Sequence, residues 1–172
     1  MKKTLLLITL LLTTGLGLSA QSLDGTWRCY QDIDDDPNGM FIYFKFSGKS
    51  DLMITFTMRI EDADIGQIDV AYDVPATYSR EGNILNCQLD AKKTKMRIER
   101  VAWCRELKVK FYHEPGMEEA AKAMLEEVLT AESGKLAETF SIFSQMTIVD
   151  LTAETLMLKA GTDTMTFVRY NQ

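Results

Sequence analysis

Leu52, Ile54, Phe56, Met58 and Ile60 occupy every second position of one stretch, with Met53, Thr55, Thr57 and Arg59 between them. A period of two belongs to a β-strand, whose successive side chains point to opposite faces of the sheet. A strand with one apolar face must find another apolar surface to cover it. The pattern recurs along the chain. Ile42, Phe44 and Phe46 alternate with Tyr43 and Lys45, and Ser47-Gly48-Lys49-Ser50-Asp51 supplies a turn into the first run. Ile68, Val70, Tyr72 and Val74 share a face, as do Leu85, Cys87 and Leu89 after the turn Arg80-Glu81-Gly82-Asn83. Met96 and Ile98, then Leu107, Val109 and Phe111, continue the alternation. Leu156 and Leu158 lead through Ala160-Gly161-Thr162-Asp163 into Met165, Phe167 and Arg169. About eight to ten short strands joined by tight turns predict a mainly β fold, a sandwich or an up-and-down barrel.

One segment has a different period. Met117, Ala121, Met124, Leu125 and Val128 form a stripe of helical spacing behind Pro115-Gly116, with Glu118 and Glu119 in the first turn. Ser133-Gly134 predicts a break, and Leu136, Phe140 and Phe143 a second helical stretch. The expected product is a helical hairpin inserted at about 115–143.

The first twenty residues read as an address. Met1-Lys2-Lys3 is a positive start, Thr4 to Leu18 an apolar run broken only by Thr and Gly, and Ser19-Ala20 a small-residue cut site. Cleavage after Ala20 leaves a single domain over 21–172, and cleavage after Ser19, with Gly17 at the −3 position, is the alternative. The expected location is outside the cytoplasm, periplasmic or secreted, with no membrane span once the leader is removed. A membrane barrel is the rival architecture. It would turn its apolar face outward, and a helix with an apolar stripe would then have nothing to cover.

Charge narrows the partners. The chain has 19 Lys and Arg against 25 Asp and Glu, a net charge of −6, and losing Lys2 and Lys3 with the leader takes it to −8. An acidic protein repels phosphate backbones, so nucleic acid is not expected as a partner. Lys92-Lys93-Thr94-Lys95 reads as a solvated hairpin tip. Cys29, Cys87 and Cys104 allow one disulfide in three pairings, or buried free thiols acting as small hydrophobes.

No motif carries catalysis or a metal. Asp34-Asp35-Asp36-Pro37-Asn38-Gly39 matches the first half of a calcium loop, but Lys45 stands at the twelfth position, where a bidentate Glu is needed. His113 is the sole histidine, and no G-x-S-x-G elbow is present. Gly48-Lys49-Ser50 imitates the end of a phosphate loop, but Tyr43 replaces its first glycine. The expectation is a protein that is not an enzyme and needs no metal or cofactor.

Two segments carry a family resemblance. The chain after the leader opens Leu23-Asp24-Gly25-Thr26-Trp27, a G-x-W on the first predicted strand. It closes with Asp150-Leu151-Thr152-Ala153-Glu154-Thr155-Leu156-Met157-Leu158-Lys159, a short turn and Thr166-Phe167-Val168-Arg169. These ends resemble the lipocalin-like domain proteins exported by bacteria, part of the calycin group. The resemblance implies an antiparallel up-and-down barrel of about eight strands around an apolar interior. It also implies that Trp27 plugs the closed end and that Arg169 covers the indole, a structural closure. The chain departs from the family in placing its helices late, before the last three strands.

Such a barrel is either filled or holds one small ligand. Nine methionines follow Met1, several in phase with the inward faces, and flexible Met side chains adapt to varied apolar shapes. The first expectation is therefore a small hydrophobic or amphipathic ligand walled by Phe44, Ile54, Phe56, Met58, Val70, Tyr72, Leu85, Leu107 and Phe111. The alternative is an envelope module with a solid core that binds a protein partner through Asp32 to Asp36 or through the exposed side of the helices.

Overall fold

A computed structural model describes residues 22–29, 41–114 and 116–170, with the backbone alone over 132–139. The leader and the acidic Asp34–Gly39 loop lie outside the described residues. The strands are β1 (Gly25–Cys29), β2 (Phe41–Ser47), β3 (Asp51–Asp62), β4 (Gly66–Glu81), β5 (Ile84–Leu89), β6 (Lys95–Trp103), β7 (Gln145–Leu151), β8 (Thr155–Ala160) and β9 (Asp163–Arg169). Between β6 and β7 come α1 (Arg105–His113), α2 (Met117–Thr139) and a 3-10 helix, Phe140–Ser144.

Every pairing is antiparallel, and the ring β1-β2-β3-β4-β5-β7-β8-β9 closes on itself where Trp27 lies opposite Arg169. This is a closed eight-stranded up-and-down barrel. Alternation along each strand sends the apolar set inward: Ile42, Phe44 and Phe46 on β2, Leu52, Ile54 and Phe56 on β3, and Leu156 and Leu158 on β8 are all buried. Lys45, Thr55, Arg59, Asp69 and Asp73 face outward, the reverse of a membrane barrel.

β6 is a ninth strand outside the ring. β4 is long enough to pair twice along one edge, with β5 through Ala76–Glu81 and with β6 through Gly66–Asp73. β5 and β6 therefore follow one path, interrupted by a short 3-10 turn at Ala91–Lys93. The lysine-rich segment is this interruption rather than a hairpin tip. Beyond the rim of the barrel, β3, β4 and β6 continue as a three-stranded flap. β7 pairs only with the β5 half of the path, and α2 packs beside β6 where a further strand would otherwise run. A helix laid along a strand is one way of protecting an open edge.

The helical insert differs from expectation. Leu107, Val109 and Phe111 were read as strand by their alternation, but Arg105–His113 is helical. Leu107 and Phe111 are four residues apart, which fits one face of a helix as well as one face of a strand. Phe111 packs edge-on against Trp103 at 5.1 Å, while Val109 is exposed. α2 runs unbroken through Ser133-Gly134, since one glycine in a helix costs only about 1 kcal/mol. The insert thus spans Arg105 to Ser144 rather than 115–143. Its inward stripe is Met117, Ala121, Leu125 and Leu129, whereas Met124 and Val128 point to solvent.

Candidate functional site

The closed end of the barrel is built on one indole. Trp27 is fully buried and donates its Nε1–H to the carbonyl oxygen of Leu23 at 2.7 Å. The Arg169 guanidinium lies over its ring at 4.2 Å. Arg169 also donates to the carbonyls of Ala153 and Asp24, each at 2.7 Å, tying both ends of the domain together. Gly25 has φ +117, and a Cβ there would meet Arg169 Nη1 at 2.5 Å. The glycine of the G-x-W is therefore required by its backbone, since an L side chain is strained at that φ, and its missing Cβ leaves room for the guanidinium.

The nine expected wall residues separate into three groups. Phe44, Ile54 and Leu85 have no exposed surface and are packed within the barrel body. Phe44 meets Phe167 at 4.8 Å and Phe143 at 5.5 Å. Phe56 is covered by Phe140, stacked at 3.6 Å and 5°. The 3-10 helix before β7 thus carries two aromatic rings into the barrel as a plug. Leu107 and Phe111 lie on α1, outside the barrel strands, and Phe111 packs against Trp103 at the end of β6. Met58, Val70 and Tyr72 lie on the inner face of the flap.

That flap face is the second apolar surface of the molecule. Cross-strand partners share a face, so the registers give three rows across β3, β4 and β6: Phe56–Tyr72–Met96, Met58–Val70–Ile98 and Ile60–Ile68–Val101. The middle strand is enclosed, with Ile68 at 2%, Val70 at 0% and Tyr72 at 3% exposure. The flanking Met58, Ile60, Met96, Ile98 and Val101 are only partly buried, as are Leu125 and Leu129 of α2. At the tip of the flap Trp103 donates its Nε1–H to Glu118 Oε1 at 2.8 Å, fixing the start of α2. Sequence reasoning missed Ile60, Ile98, Val101, Leu125, Leu129 and the Phe140–Phe143 plug as parts of this region. Only the spacing of Phe140 and Phe143 among polar neighbours hinted at the plug.

The outer face of the flap is polar and cross-linked. Asp69 accepts from Arg59 Nε at 2.9 Å, Arg100 Nε at 2.8 Å and Gln67 Nε2 at 3.2 Å. Partial burial pushes its carboxyl up, but these hydrogen bonds outweigh that and hold it below the usual carboxylate range. Asp73 accepts from Thr55 Oγ1 at 2.7 Å and Arg97 Nε at 3.1 Å. A groove of about 330 Å³ lies over this side of the barrel, lined by Tyr43, Tyr170, Lys45, Thr55, Arg97 and Glu99 among others.

Cys29 and Cys87 are buried free thiols, and Cys104 is also free. Burial pushes the Cys87 thiol up to about 11, so it stays protonated and inert at neutral pH. Cys104 is half-buried and donates its Sγ–H to the Asp64 carbonyl at 3.0 Å. His113, exposed at the end of α1, meets Tyr112 edge-on at 5.3 Å. Among the described residues no three His, Cys, Asp or Glu side chains could together hold a metal ion, and no helix is long and apolar enough to cross a membrane.

No family model, curated protein or solved structure matches this chain.

Proposed function

We propose that this chain is an exported, non-enzymatic barrel of lipocalin-like type that takes a small hydrophobic or amphipathic ligand on the inner face of its flap, beneath α2, rather than deep in the barrel. One observation carries the reading: Met58, Ile60, Met96, Ile98 and Val101 form a continuous apolar face that stays only partly buried beside a fully packed body. Apolar surface that stays wet contributes nothing to folding, whereas covering it with a ligand yields about 25 cal/mol per Å² before the costs of association. Flexible Met side chains at two of the five positions suit a ligand of variable shape. The G-x-W closure under Arg169 and the up-and-down topology support the lipocalin-like part of the reading.

The test is titration with the apolar fluorophore N-phenyl-1-naphthylamine. The expected result is saturable 1:1 enhancement, abolished by Ile98→Trp, which fills the face, and preserved in Leu85→Met, which alters only the body. Binding that survives Ile98→Trp would place the ligand elsewhere.

A second reading, a solid-core module for an envelope protein partner, draws on the Phe140–Phe143 plug and the outer groove at Tyr43 and Tyr170. Absence of fluorophore binding together with a partner captured by cross-linking through Lys45 would favour it.

A further inference from the structure

Tyr72 is the one polar side chain in the three rows of the flap's inner face. It is 3% exposed, and among the described residues nothing hydrogen-bonds its hydroxyl. The oxygen is not among the fully enclosed side-chain atoms that lack a partner, so the hydroxyl keeps a small opening. Burial holds its pKa above the ordinary tyrosine value, so the group is a neutral O–H donor. Such a donor, reached by solvent only through that opening, is left without a protein acceptor among the described residues, a place that a ligand oxygen can take. Its row neighbours are Phe56, under the Phe140 ring, and the half-buried Met96. Tyr72 therefore stands at the junction of the plug and the flap.

The surroundings also define the acceptor. No charged or polar residue other than this phenol is buried in the described core. Lys95, Arg97 and Arg100 are exposed, and the latter two are engaged on the outer face by Asp73 and Asp69. A carboxylate or phosphate brought to Tyr72 would be a buried charge with no buried counter-ion among the described residues, which is strongly unfavourable. A neutral oxygen has no such penalty.

We infer that Tyr72 is the polar anchor of the flap site and that the ligand is a neutral amphiphile, an apolar chain or ring system bearing one ketone, ester or quinone-type carbonyl that accepts from the Tyr72 hydroxyl. The inference rests on the flap reading proposed above and narrows it to a ligand class.

The experiment displaces bound N-phenyl-1-naphthylamine from the whole exported chain with methyl dodecanoate or with dodecanoate at pH 8, in the native protein and in Tyr72→Phe. The Phe variant keeps the ring and removes only the hydroxyl, and circular dichroism confirms its fold. The native protein should prefer the ester at least tenfold. Tyr72→Phe should weaken the ester about tenfold, measured against that variant's own affinity for the fluorophore. Equal ester affinity in both proteins would overturn the anchor, its O–H then satisfied by a water, while leaving the flap site standing. Preference for dodecanoate would overturn the neutral class. If the native protein binds no fluorophore, the flap site itself fails and the anchor with it.

Discussion

The body of the barrel and its flap share β3 and β4, yet they differ in how completely they are buried. β3 shows both conditions within twelve residues: Leu52, Ile54 and Phe56 are at most 3% exposed, while Met58 and Ile60 are only partly buried. The sequence alternation is equally good across both halves. In the body the strand faces seven others around a closed ring. In the flap it has β4 and β6 for neighbours and α2 alone beside β6. Completeness of burial is thus a property of what lies opposite a strand. Stability should concentrate in the body and adaptability in the flap.

Alanine substitution should separate the two most sharply. Phe44→Ala is expected to cost about 3–5 kcal/mol in urea unfolding, as for a large core side chain, and Ile98→Ala only about 1–2 kcal/mol, because Ile98 is only partly buried. Equal losses would break the distinction.

The closed end should behave as body despite its polar chemistry. Arg169→Ala removes the cation over Trp27 and leaves the Ala153 and Asp24 carbonyls without their donor. A loss of about 2 kcal/mol is expected by the same measurement, and Arg169→Lys should restore little, since an ammonium cannot make both bonds and lie flat on the indole. Full rescue by lysine would mean that charge alone matters there.

The outer face of the flap should contribute least and should show it through pH. Asp69 has its pKa lowered in the folded state, so its contribution is present above the unfolded value of about 4 and fades as pH falls through the lower folded value. Because Arg59 and Arg100 are largely solvated, the amount is about 0.5–1 kcal/mol. Asp69→Asn should remove that pH dependence and leave stability at pH 3 nearly unchanged. A larger effect at pH 3 than at pH 7 would contradict the assignment.

Thiol labelling reads the same division without mutation. Iodoacetamide at pH 8 should modify Cys104, at the tip of the flap, in the native protein, and Cys29 and Cys87 only on unfolding. Native labelling of Cys87 would show that the body opens.

Local pattern made part of this molecule legible. The inward sets of β2, β3, β8 and β9 follow from alternation and turn residues alone, because a period of two has a single solution over seven residues or more. Leu107-Val109-Phe111 failed that rule, since Leu107 and Phe111, four residues apart, also fit one face of a helix and Val109 alone marks the period of two. Met124 and Val128 were misplaced by the width of the expected stripe, which depends on how far round α2 its neighbours reach. Tyr72 was assigned to the inner face from its phase, but its lack of an acceptor was invisible without the surrounding rows.

The amino-acid order by itself determined the strand faces and most of the turns between them, because each rests on the geometry of a few adjacent residues. Only the tertiary structure decided that Phe140 would lie flat on Phe56, that β6 would share an edge of β4 with β5, and that one apolar face would stay partly uncovered. Those outcomes depend on segments far apart in the chain competing for the same space, and no local period records which of them prevails.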